Sequence, residues 1–162
     1  MIQRIQSVFL AITIIGMVLL CTMPLWEKKN ASTNNIAQLS ALQLTIGQAD
    51  SISNGNAAQT PIFTIISFAI LAIILTAFSL FSYKNRKMQM LLGAIISMVI
   101  AITLGFVFYY IFTKGMPAFD PTFAGDYGIG FYAGGVALLS NMIANRFIRR
   151  DENLVRSADR MR

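Results

Sequence analysis

The sequence contains no histidine and a single cysteine, Cys21. Without histidine the chain lacks the commonest metal ligand and the side chain that most often acts as a general base near neutral pH. One thiol cannot close an internal disulfide, so cysteine usage says nothing of redox compartment. Charge is scarce too. Only 12% of the 162 residues are Asp, Glu, Lys or Arg, against about 25% in an ordinary soluble domain. Apolar residues are plentiful instead, at 56%. A chain so composed would expose too much apolar surface to water, so lipid is its expected solvent. The net charge of +6 does not point to nucleic acid, because the charges cluster at the ends of apolar runs and not along one soluble face.

The apolar runs are long. Residues 62–83 and 88–112 carry no charge. At about 1.5 Å per residue, helices of these lengths exceed a hydrocarbon core of about 30 Å. Between them, Lys84-Asn85-Arg86-Lys87 is too basic for lipid and too short to do more than turn the chain. The two runs therefore read as a helical hairpin. Residues 5–26 form another uncharged run after Arg4. A cleaved signal peptide or a lipoprotein signal is the rival reading. The run is long for a signal core, no small-x-small site follows it, and Leu19-Leu20 stand where a lipoprotein needs small residues before its cysteine. It reads as an uncleaved span, with Trp26 as an interfacial aromatic anchor.

Residues 129–147 are the fourth span and the weakest in hydropathy. Gly128, Gly130, Gly134 and Gly135 are interleaved with Ala133 and Ala137. Gly130 and Gly134 share one helix face and permit close backbone approach, either within the bundle or at a homodimer face. Asn141 is placed to bond to a neighbouring helix, and Asn145 falls at the inner interface. The expected fold class is an all-α membrane protein built as one domain over residues 1–162. It is a four-transmembrane-helix bundle with a small β element in the first outer loop and a cytosolic C-terminal helical extension.

The first loop, residues 27–60, is polar, yet Leu42, Leu44 and Ile46 alternate with Gln43 and Thr45. That period predicts a short strand or hairpin over residues 39–46, with Ser51–Asn56 as a turn-rich return. A lone hairpin is marginal in water, so it would lie against helix ends or a partner. Thr60-Pro61 reads as a helix start, a hydroxyl cap followed by proline at the first helical position. Phe106, Phe108, Tyr109, Tyr110 and Phe112 crowd the end of the third span as an aromatic belt or, less simply, a lipid or quinone groove. In the second loop, residues 113–128, Asp120 and Asp126 read as helix caps, with a cation site or an acid/base pair as the sharper alternative.

Orientation follows from the basic residues. Arg4, Lys84, Arg86, Lys87, Arg146, Arg149, Arg150, Arg156, Arg160 and Arg162 fall on one side, and only Lys28, Lys29 and Lys114 on the other. This bias places both termini in the cytosol. The tail, residues 148–162, pairs Glu152 with Arg156 one turn apart and repeats Leu154, Ala158 and Met161 at helical spacing. It reads as an amphipathic extension whose Arg149, Arg150, Arg156 and Arg160 contact lipid or a partner protein.

No Asp, Glu, Lys or Arg lies deep in any span, which argues against a proton-coupled carrier or pump. Ser97, Thr103 and Asn141 would line a path if one existed. No nucleophile–base, metal or phosphate-loop motif is present, so no enzyme activity and no cofactor are expected.

The opening Met1-Ile2-Gln3-Arg4-Ile5-Gln6-Ser7 and the tail segment Asp151-Glu152-Asn153-Leu154-Val155-Arg156-Ser157-Ala158-Asp159-Arg160 resemble an uncharacterised four-span inner-membrane family of Bacteroidota, domain of unknown function 4293. The resemblance implies a Gram-negative inner membrane and periplasmic loops. It supplies no activity and no site residues. In layout the chain is also similar to claudin-like four-span proteins, without their paired loop cysteines. The leading expectation is a non-enzymatic structural or accessory subunit. Its partners would be the bilayer and other inner-membrane proteins, without nucleic acid, and with a homo-oligomer as an alternative. A small-molecule or lipid transporter, or an accessory to one, is the second reading. A membrane enzyme using Asp120 and Asp126 is the third.

Overall fold

The computed structural model describes residues 2–30, 35–48, 58–82, 86–118 and 125–160, with the backbone alone at residues 2–4, 86–87 and 155–160. The expected turn at residues 51–56, Lys84 and Asn85 of the basic link, Asp120, and Met161 lie outside the described residues.

The described residues fold into four long helices and one small sheet. The helices are α1 (Ile2–Thr22), α2 (Phe63–Phe81), α3 (Arg86–Tyr110) and α4 (Ile129–Arg160). The strands are β1 (Trp26–Asn30), β2 (Asn35–Leu39), β3 (Gln43–Gln48), β4 (Ala58–Pro61) and β5 (Asp126–Tyr127). Helix α1 packs on α4 and α2, and α3 packs on α2 and α4. Among the described residues, three helices are long and apolar enough to cross a membrane: Ile5–Thr22, Phe63–Phe81 and Met88–Ala118. Glycines, Asn141, Asn145 and Arg146 dilute the apolar run of α4.

Inside the helices most hydroxyls close onto their own preceding turn. Thr13, Thr22, Ser67, Thr76 and Thr103 each donate to the carbonyl four residues back. This local bond satisfies a hydroxyl without needing a partner helix. Many large apolar side chains are exposed along the helices, among them Ile15, Ile74, Phe78, Met98, Val136 and Leu139. Such a surface suits lipid and not water.

The antiparallel sheet has the order β4-β3-β2-β1-β5 and caps the end where α1 stops and α2 starts. The strand or hairpin expected over residues 39–46 is a hairpin, formed by β2 and β3 and longer than the sequence pattern, with its turn at residues 40–42. Leu39 ends β2 and Gln43 begins β3, with Ser40 donating its backbone N–H to Gln43 O at 2.9 Å. The sheet does lie against the bundle: Leu25 N donates to Leu39 O and Ile62 N to Leu42 O.

Three sequence expectations need correction here. Thr60 and Pro61 do not start a helix. They end edge strand β4, with Pro61 opposite Gln43, and α2 begins at Phe63 after an extended Ile62. A proline at a sheet edge costs no ladder bond, which explains its place. Trp26 is not a helix-borne interfacial anchor. Helix α1 ends at Thr22, and Pro24, lacking an N–H, stops it. Trp26 opens β1 with its side chain 0% exposed. Its indole lies against Gly115 and Gly125, where an added Cβ would come within 2.8 and 2.7 Å of the ring. Gly125 also has φ +75°, a conformation that favours glycine. Asp126 is not a helix cap, because it pairs with Glu27 in β5.

Candidate functional site

Helix α4 carries most of the polar and basic groups that remain, and its two faces differ. Toward α1 it is small and close-packed. A Cβ on Gly130 would meet Met23 O at 2.8 Å, and one on Gly134 would meet Leu20 Cδ1 at 2.6 Å and Leu104 Cδ2 at 3.0 Å. Gly16 of α1 answers from the other side, where a Cβ would lie 2.8 Å from Ala133 O. The Gly130–Gly134 face therefore packs against Leu20 of α1, residues 23–25 that follow it, and Leu104 of α3.

Toward α3 the same helix is polar. Asn141 is fully buried, and its Nδ2 donates to Gly93 O and to Ser97 Oγ, both at 2.8 Å. One turn on, Asn145 packs against Gly93, whose Cβ would lie 3.0 Å from Asn145 Cγ. The Oδ1 atoms of Asn141 and Asn145 are both buried without a hydrogen-bond partner. This seam opens at the arginine end into two adjoining clefts. One, of about 290 Å³, is lined by Ser97, Met142, Asn145, Arg146 and Arg149. The other, of about 530 Å³, is lined by Arg146, Arg149, Arg150, Asn153 and Leu154. Arg149 and Arg150 are exposed. Arg156 and Arg160 lie on the helical backbone of α4, and their side chains are outside the described residues. Ser97 touches the first cleft, but Thr103 and Asn141 do not line it.

At the opposite end the aromatic residues pack together. Tyr110 and Thr64 share a hydrogen bond of 2.9 Å between hydroxyls. Phe68 stacks on Phe106 at 5.4 Å, and Phe131 meets Phe108 edge-on at 5.2 Å. Lys28 is the residue that sequence reasoning missed. It reads as a loop charge, yet it is 2% exposed and its Nζ donates to Met116 O at 3.0 Å. Strand alternation puts residues 26 and 28 inward and 27 and 29 outward. That signal is hidden when two lysines stand side by side. Lys29 instead pairs with Glu27 at 2.9 Å. This hydrogen bond and the Glu27 charge raise the Lys29 pKa above its ordinary value.

A family model described as Domain of unknown function (DUF4293) matches residues 2–161. The chain belongs to that family. The match spans both the sheet and the arginine end. No curated protein matches the chain. Among the described residues, no three His, Cys, Asp or Glu side chains gather in one place.

Proposed function

We propose that the chain is a four-span protein of a Gram-negative inner membrane. Both termini are cytosolic, the two loops are periplasmic, and the chain serves as a non-enzymatic structural or accessory subunit of a larger membrane assembly. The fourth span is supported by the exposed face of α4. Ile129, Tyr132, Val136, Leu139, Met142 and Ile143 line it, and an apolar stripe of that length is costly in water. The bias of basic residues toward the arginine end supports the orientation.

One observation carries the subunit reading. Helix α4 runs unbroken for 32 residues, about 48 Å at 1.5 Å per residue, against a hydrocarbon core of about 30 Å. Its charged last turns extend beyond the bilayer as a rigid arm holding Arg156 and Arg160, shaped to dock on a partner. Deleting residues 151–162 tests this. After mild detergent extraction, the truncated chain should lose proteins that co-purify with the full chain. Retention of every one of them contradicts docking through the arm. A second copy of the chain is one partner this comparison would reveal.

Transport is the weaker reading, because Thr103 and Asn141 are fully buried and hydrogen-bonded within the helices.

A further inference from the structure

We propose that the two clefts at the arginine end hold one anionic phospholipid. Its phosphate would sit on Arg146, Arg149 and Arg150, and its acyl chains would run along the exposed apolar face of α4. The inference rests on the four-span reading, since only that reading puts the clefts at a membrane surface.

Charge is the first argument. The clefts share Arg146 and Arg149, and no carboxylate lines either one. Among the described residues, no ion pair engages Arg146, Arg149 or Arg150. The acids that follow on the helix, Asp151 and Glu152, are already engaged in interactions of their own. Three like charges converging on one opening repel each other, and an anion between them removes that repulsion. Guanidinium groups present paired N–H donors that match a phosphate in fork geometry. Arginine clusters between helices at a cytosolic surface suit acidic lipid headgroups for this reason.

Polarity is the second argument, and it selects a lipid over a free ion. The cleft is graded along α4. Arginines occupy its outer end and Met142 its deeper wall, with Leu139 exposed one turn further in. A free phosphate would leave that apolar wall unused, whereas a lipid places its chains there. Asn145 marks the boundary, where its Oδ1 accepts no hydrogen bond. The second cleft shares Asn153 and Leu154 with the partner-docking arm, but all three arginines and the whole lining of the first cleft precede residue 151, so removing residues 151–162 leaves the arginine cluster in place.

The test uses the full chain in neutral detergent and native mass spectrometry, so it does not depend on membrane orientation. Phosphatidylglycerol, phosphatidylcholine and inorganic phosphate are added separately. One phosphatidylglycerol should be retained per chain, about tenfold more strongly than phosphatidylcholine. Arg149→Gln, at a residue common to both clefts, should weaken that retention several-fold. The Arg146→Gln/Arg149→Gln/Arg150→Gln variant should abolish the preference, and Lys114→Gln at the other end should leave it intact. Circular dichroism checks that each variant stays helical, and Arg149→Gln decides alone if the triple variant misfolds. Equal retention of the two lipids overturns the proposal, as does an Arg149→Gln variant that binds like the parent. Displacement of the lipid by inorganic phosphate reveals a free-anion site and overturns it too. So does finding the clefts filled by an acidic segment of a co-purified protein.

Discussion

The two ends of this molecule are built on opposite plans. At the sheet end the described residues are closely packed. Five strands close over the helices, Trp26 is wedged against two glycines, and even a lysine is buried on a backbone carbonyl. At the arginine end one helix simply runs on, and among the described residues no ion pair engages Arg146, Arg149 or Arg150 around the open clefts. The enclosed packing lies at the sheet end, and the open clefts lie at the arginine end. The same division runs along α4, whose face toward α1 is sealed by small residues while its face toward α3 keeps buried amides with unused acceptors.

Substitutions break this contrast in a graded order. Trp26→Ala should be the most damaging, at about 3–5 kcal/mol, because it empties a fully enclosed site. Thermal unfolding in detergent would register it as the largest loss of any single change at either end. Next comes a pair of glycines on the same helix. Gly130→Ala forces a methyl against a backbone carbonyl and should cost about 1–3 kcal/mol. Gly135→Ala meets nothing within 4 Å and should gain up to about 1 kcal/mol through helix propensity. Melting temperatures that shift in the same direction for both would break the account of the α1–α4 seam.

Asn141→Leu should cost about 1 kcal/mol, since it removes two hydrogen bonds inside the bundle. A gain in stability would mean that the orphaned Oδ1 outweighs them. Arg149→Gln should leave unfolding unchanged within about 0.5 kcal/mol, as expected of an exposed side chain without a structural partner. The smallest effect belongs to Glu27 and Lys29. The raised Lys29 pKa means its contribution is complete below the ordinary lysine range and is lost only as pH rises through the raised value. Melting should therefore show no step from this pair between neutral pH and about pH 9. A Glu27→Gln variant should match the parent throughout.

Long uncharged runs made the helices legible in the sequence, because period and length suffice where lipid is the solvent. The glycine spacing in α4 likewise pointed to a close-packed face. The sheet was legible only as a fragment. Alternation at Leu42, Leu44 and Ile46 located strand-like residues, but the turn at Ser40 could be placed only by knowing that Leu39 pairs with Leu44. Thr60-Pro61 carried a helix-start signal that lost to sheet pairing, since Pro61 fits an edge opposite Gln43. Trp26 and Lys28 were misjudged for one reason: strand alternation turns both inward beneath a cap that no local pattern reveals. The clefts were half visible. Arg149 and Arg150 stood out as charges, while the contribution of Ser97 required the antiparallel packing of α3 on α4.

The central claim is that the sheet and the arginine end lie on opposite sides of a bilayer. Cysteine labelling tests it most directly. In a Cys21→Ser background, Gln48→Cys reports on the end of β3 and Asn153→Cys on the arm, both at exposed positions. With a membrane-impermeant thiol reagent on intact spheroplasts, the cysteine at position 48 should react at once, and the one at 153 only after lysis. Reaction of both before lysis, or of neither, would contradict the account.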